Sequence, residues 1–116
     1  DQSAEKSFFK IAERKGVGII LAGVFNSGIL AKGNKKSTYF YKKSPKQILK
    51  KYSTIKNLCD DFNIPIQSAA IQFSLRKKIV NSIILGMDEI DHIKENIFFL
   101  NYKISNNFWE ELEKII

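Results

Sequence analysis

The chain has 116 residues, 44% of them hydrophobic, and carries 19 Lys and Arg against 12 Asp and Glu for a formal charge of +7. That is enough chain for one domain with an apolar core. A lone cysteine, Cys59, excludes an internal disulfide scaffold, and no apolar run is long enough to cross a bilayer.

The amino end, Asp1 in place of a methionine, reads as a processed chain or a fragment. Residues 2–15 are polar and amphipathic, unlike a signal peptide, and the expectation is a soluble, cytoplasmic protein. Much of the positive charge sits in scattered pairs, Lys35-Lys36, Lys42-Lys43, Lys50-Lys51 and Lys77-Lys78. Such pairs suit a solvated surface or a field that draws phosphate.

Ala4, Phe8, Ile11 and Ala12 recur at helical spacing and predict a helix over 3–15, with Ser3 as its cap and Gly16 as its stop. Residues 17–24 form a continuous apolar run, the pattern of a strand covered on both faces. Phe25-Asn26-Ser27-Gly28 follows as a loop. Residues 31–44 show no clear period and predict a long loop, of the kind that forms lids. Its Tyr39, Phe40 and Tyr41 suit either stacking on a base or sheltering a cofactor, or pinning the loop to the core. Ser44-Pro45 reads as a cap and a first-turn proline. Ile48, Tyr52, Ile55, Leu58 and Phe62 then mark one stripe of a helix to about residue 62, with Cys59 as a buried filler and Asn63 closing it. Pro65 begins a further helix, with Ala69, Ala70, Phe73 and Leu75 inward, ending near Arg76-Lys77-Lys78. A second buried strand covers 79–85. Asp88 is the expected cap of the next helix, whose stripe is Ile90, Ile93, Ile97 and Leu100. Ser105 caps the last, with Phe108, Leu112 and Ile115 inward and Trp109 docked against the body.

Strand, helix, strand, helix implies an α/β fold with parallel strands, and in such folds ligands bind beyond the carboxyl ends of the strands. Two strands leave both edges unpaired, so residues 1–116 read as one partial domain, the last part of a larger sheet. At the first strand's end, Asn26 and Gly28 tolerate unusual backbone angles. They make either an anion-binding turn, to which Ser27 adds a hydroxyl, or an ordinary turn. At the second, Gly86-Met87-Asp88 opens a helix, and Asp88, His92 and Asn96 share a face beside Glu95. That face either presents hydrogen-bond partners to a base or ribose, or is a solvated surface. His92 has no cysteine or second histidine with which to hold a metal.

The string from Gly16 to Ala31, GVGIILAGVFNSGILA, resembles the seventh strand and following loop of the aldo/keto reductases, closest to their aldose dehydrogenase branch. Ile64–Leu75, IPIQSAAIQFSL, resembles the segment before the family's eighth strand, Ser82–Met87, SIILGM, that strand, and Ile93–Asn96, IKEN, the helix beside the cofactor. The resemblance implies strands seven and eight, with their helices, of a (β/α)8 TIM barrel. It implies an NAD cofactor, with NADP possible. Val24, Phe25, Asn26, Ser27 and Gly28 lie along its pyrophosphate, Gly86, Met87, Asp88, His92, Glu95 and Asn96 around its adenosine end, and the 31–44 loop folds over it. Many NADP-preferring members carry Lys or Arg after strand eight and Arg on the helix, where this chain has Gly86, Asp88 and His92. The family's catalytic Asp, Tyr, Lys and His come from earlier strands and have no match here. Tyr39, Tyr41, Tyr52 and Tyr102 lie in the wrong segments. The implied function is to hold the cofactor of an oxidoreductase that moves hydride to or from a sugar or other carbonyl or alcohol, with the remainder of the barrel upstream. The rivals are a small basic nucleic-acid-binding module, against which the scattered lysines argue, and a non-catalytic relative of the same barrel. Neither nucleic acid nor a membrane is an expected partner.

Overall fold

The computed structural model describes residues 2–33 and 38–116. The pair Lys35-Lys36 lies outside the described residues. The helix predicted over 3–15 is two pieces, α1 (Ser3–Lys6) and α2 (Phe8–Arg14), because Ser7 leaves helical geometry at φ −132° and caps the second piece. Gln2, not Ser3, stands at the first cap. Gly16 does end α2. It sits at φ +64°, its N–H donates to Glu13 O at 3.1 Å and that of Val17 to Ala12 O at 2.9 Å, the paired bonds of a left-handed C-terminal cap.

The two predicted strands are β1 (Ile19–Ala22) and, later in the chain, a five-residue strand at Val80–Ile84; they pair in parallel, from Ile19↔Val80 to Ala22↔Ile84. The register slips between Ile19 and Ile20, leaving Asn81 without an opposite residue, a parallel bulge. Gly18 makes room for it, since a β-carbon there would strike the Asn81 side-chain amide. Only one face of the pair is covered, by Ala12 with Phe9 beside it. Ile20 and Ile84, on the other face, are 65% and 59% exposed. The expectation of strands covered on both faces is therefore not met in this segment.

Between the strands, the loop predicted over 31–44 contains structure. A short helix, α3 (Ile29–Lys32), is followed by a hairpin, β2 (Thr38–Tyr39) and β3 (Lys42–Lys43). Then come α4 (Lys46–Asp61) and α5 (Ile66–Leu75), and the five-residue strand is β4. Pro45 itself is the cap of α4, one residue later than expected, and Leu49 N–H donates to its carbonyl at 3.1 Å. Asn63, at φ +54°, closes α4 with the same paired bonds as Gly16: its own N–H to Asp60 O at 3.0 Å and that of Ile64 to Cys59 O at 2.8 Å. α5 stops at Leu75, which is exposed rather than inward, while Ser68 and Ile71 are wholly buried. Next are α6 (Ile90–Asn101) and α7 (Asn106–Glu113).

The larger core lies among α4, α5 and α7 and is made of Cys59, Ile64, Ile66, Ala69, Phe108, Trp109 and Leu112. Ser105 caps α7 as predicted, accepting from Phe108 N–H at 3.4 Å. Trp109 docks as expected and carries the Arg76 guanidinium 4.7 Å above its ring. Cys59 is the filler the sequence indicates: fully buried, with burial pushing its thiol up to about 11. A maleimide at pH 8 is accordingly expected to label Cys59 in a complete, folded barrel only as fast as the protein opens, and in denaturant at once. Fast labelling in the folded state would contradict this packing.

Candidate functional site

Because β1 and β4 are parallel neighbours whose last paired residues are Ala22 and Ile84, the loops that follow them leave the sheet side by side at one end. This brings Val24–Gly28 and Gly86–Asp88 to the same edge.

The first loop winds through three successive left-handed residues, Asn26 at φ +45°, Ser27 at +59° and Gly28 at +95°. For Asn and Ser that conformation costs on the order of 1–2 kcal/mol each, and turn bonds hold it. Asn26 N–H donates to Gly23 O at 2.7 Å, and Gly28 and Leu30 N–H both donate to Phe25 O, at 3.1 and 3.2 Å. The amides of Asn26 and Gly28 are thus spent within the turn. Val24 is buried under the loop, and Phe25 is half-buried. Asn26 Oδ1 is buried without a hydrogen-bond partner among the described residues. A β-carbon on Gly28 would meet nothing within 4 Å, so space lies open on the side where a ligand would approach.

The hairpin is fastened to this loop. Thr38 Oγ1 donates to Ser27 O at 2.8 Å, Tyr41 N–H donates to Ser27 Oγ at 3.1 Å, and Thr38 bridges to Gly28. The aromatic residues do not pin it to the core. Tyr39 meets Phe40 edge-on at 4.6 Å, and Phe40 and Tyr41 are 56% and 90% exposed.

At the second loop, Gly86 also has nothing within 4 Å of where a β-carbon would stand. Asp88 is not the helix cap. Glu89 holds that position in extended geometry, without a side-chain bond, and Asp88 Oδ1 instead lies 2.8 Å from His92 Nδ1. The shared face exists to this extent: Asp88 and His92 touch, His92 and Asn96 are half-buried, and Met87 and Glu95 are exposed. Lys94 turns to Asp91 at 3.1 Å, away from that face. Among the described residues no group of three or more His, Cys, Asp or Glu is gathered as a metal would require.

Two glutamines that the sequence reading passed over tie α5 to its neighbours. Gln67 Nε2 donates to Ala31 O at 2.9 Å and holds α3, while Gln72 Nε2 donates to Phe99 O at 3.0 Å and Tyr102 O at 2.7 Å. The second pair falls at the end of α6, where Phe99 O also accepts from Tyr102 N–H at 3.4 Å. Their signal was a polar residue in an otherwise apolar helix. The open positions beside Gly28 and Gly86 thus stand at one end of the same strand pair.

The aldo/keto reductase family profile matches residues 1–116, the whole chain. Pyridoxal 4-dehydrogenase of Microbacterium luteolum is 35% identical over 97% of this chain and 33% of its own length. D-threo-aldose 1-dehydrogenase of a Pseudomonas species is 29% identical over 97% of this chain and 35% of its own. The chain thus spans about a third of the curated relatives it matches. Aldo-keto reductase AKR11C1 from Bacillus halodurans, solved without ligand, superposes with a TM-score of 0.74 over 99% of this chain and 39% of its own, at 18% identity.

Proposed function

The chain belongs to the aldo/keto reductase family and has the fold of the C-terminal part of its barrel, and from that premise we propose that it is the cofactor-holding portion of a cytoplasmic, nicotinamide-dependent oxidoreductase. The observation that carries this reading is the pair of open, glycine-bearing loops at one end of two parallel strands. Gly28 and its neighbours lie along the pyrophosphate, and Gly86 through Asn96 receive the adenosine end. The bound cofactor supplies the hydride chemistry between its nicotinamide and a sugar or other carbonyl or alcohol substrate. This segment binds and orients, and proton transfer falls to residues of earlier strands.

NAD is the proposed cofactor. The extra phosphate of NADP calls for Lys or Arg. Here the adenosine end offers the Asp88 carboxylate, steadied by His92, and Lys94 is engaged with Asp91. Asp88 accepts a bond from a ribose 2′-hydroxyl and repels a 2′-phosphate. At contact distance in water the repulsion is about 1 kcal/mol, or several-fold in affinity. With a complete barrel carrying this segment, kcat/KM is expected to favour NAD several-fold at moderate salt, and Asp88→Asn is expected to narrow the gap. Equal values, or an NADP preference, would remove Asp88 from the choice. Absence of binding by either cofactor, followed by quenching of intrinsic fluorescence, would overturn the function itself.

A further inference from the structure

Charge is divided along the chain. Between Glu13 and Asp60 the sequence holds no Asp or Glu, and the rest of the chain carries more acidic than basic residues. The surplus of lysine therefore falls on the stretch that includes the β2–β3 hairpin and the start of α4. Lys42 and Lys43 on β3, and Lys46, Lys50 and Lys51 on α4, are exposed and make no ion pair among the described residues. Helix stability does not account for them. They crowd the end of α4 where the helix dipole disfavours positive charge, while Asp60 and Asp61 occupy the opposite end. The hairpin turn is costly as well. Its central residues, Phe40 and Tyr41, have φ of +48° and +60°, angles that suit Asn-Gly and that bulky residues resist. Both side chains stand largely in solvent, so burial does not offset the strain, and strain of this kind points to a function.

We infer that the hairpin and the start of α4 form a docking surface for an anionic lipid bilayer. Phe40 and Tyr41 enter the interface, and the lysines of β3 and α4 meet the headgroup phosphates. The order of the groups decides for a bilayer over a nucleic acid. The aromatic residues are gathered at the hairpin tip and the lysines follow on β3 and α4, as the apolar and headgroup layers of a membrane interface require. A single-stranded nucleic acid calls instead for aromatic rings spread among the lysines along a groove. No described helix is long and apolar enough to cross a membrane, and a contact at the surface needs none. The expectation of no membrane partner came from the lack of a spanning segment and does not reach a contact of this kind. The inference does not rest on the cofactor reading.

The test is sedimentation of a complete barrel carrying this segment with vesicles of equal parts phosphatidylcholine and phosphatidylserine, and with vesicles of phosphatidylcholine alone. Binding is expected to the first at low salt, to weaken as salt rises, and to be absent from the second. Lys42→Gln with Lys43→Gln is expected to weaken it about tenfold or more, since each lysine near an anionic surface is worth about fivefold. The same charge change at Lys78 and Lys103, on the acidic remainder of the chain, is expected to leave it nearly unaltered. Phe40→Asn with Tyr41→Gly suits the turn and removes both rings. It is expected to weaken binding several-fold while the melting temperature holds or rises. No binding to the anionic vesicles, equal binding to both kinds, or an equal loss on changing Lys78 and Lys103 would overturn the proposal. So would a lower melting temperature with unchanged binding in the Asn-Gly variant, which would make the rings packing groups. Tighter retention of a single-stranded oligonucleotide than of vesicles, lost in the same variants, would assign the surface to nucleic acid and overturn it too. Should the Asn-Gly variant not fold, the lysine variants, which alter only exposed side chains, decide the matter.

Discussion

Gly28→Val, in a complete barrel carrying this segment, is expected to weaken nicotinamide cofactor binding at least tenfold and to lower stability as well. Two effects combine. The side chain would project into the open space beside the loop, where nothing lies within 4 Å of a β-carbon and where the pyrophosphate is proposed to lie. Gly28 also sits at φ +95°, where a β-branched residue is a steric outlier and any L-residue pays on the order of 1–2 kcal/mol. Two controls separate the effects. Gly16→Ala imposes left-handed strain at φ +64° with no neighbour to strike, far from the loop in sequence and at the other end of β1. It is expected to lower stability and leave cofactor affinity unchanged. Gly86 is not in a left-handed conformation, so Gly86→Ala fills space at the proposed adenosine end without strain. It is expected to weaken binding while the melting temperature holds. If folded Gly28→Val binds cofactor as the wild type does, by isothermal titration, the loop is not the pyrophosphate site.

How much of this was written in the sequence depends on where each determinant lies. The strand at Ile19–Ala22 was legible as an apolar run between glycines, and Val80–Ile84, though interrupted by Asn81 and Ser82, as a β-branched stretch between Lys78 and Gly86. The stops at Gly16 and Asn63 were legible because those residue types accept the left-handed angles they show. The hairpin was not. Its turn residues are Phe40 and Tyr41, which carry no turn signal, and it is held by bonds to Ser27 from eleven and fourteen residues away. Asp88 misled for a related reason. An Asp ahead of an apolar run reads as a cap, but a histidine four residues on gives its carboxylate another partner. At the site, which loops meet followed from strand order alone. Which atoms in those loops are already engaged did not, since Asn26 and Gly28 spend their amides within the turn.

Expressed alone, residues 1–116 are expected to give no cooperative thermal transition as a monomer. The reason lies in how apolar surface is distributed. The cluster among α4, α5 and α7 holds seven buried residues, with Phe108 and Cys59 fully buried. The sheet has no such support. Its own buried cluster is Ala12, Ile19 and Val80, and a two-stranded sheet with open edges is marginal in water. Ile20 and Ile84 stand bare on its uncovered face. On α6, Ile90 is 74% exposed, and Ile93, Ile97, Phe98 and Leu100 are exposed beside it. Fully burying one such side chain is worth about 1.5–3 kcal/mol, so leaving several in water forfeits an amount comparable to the whole stability of a small domain. In a closed barrel the sheet edges pair with neighbouring strands and the inner face packs against side chains from the opposite strands. The isolated segment is therefore expected to keep helical far-ultraviolet signal from α4, α5 and α7, to bind a hydrophobic dye, and to sediment as mixed oligomers. A sharp melting transition together with a sedimentation mass of one chain would show that the two strands stand without the rest of the barrel.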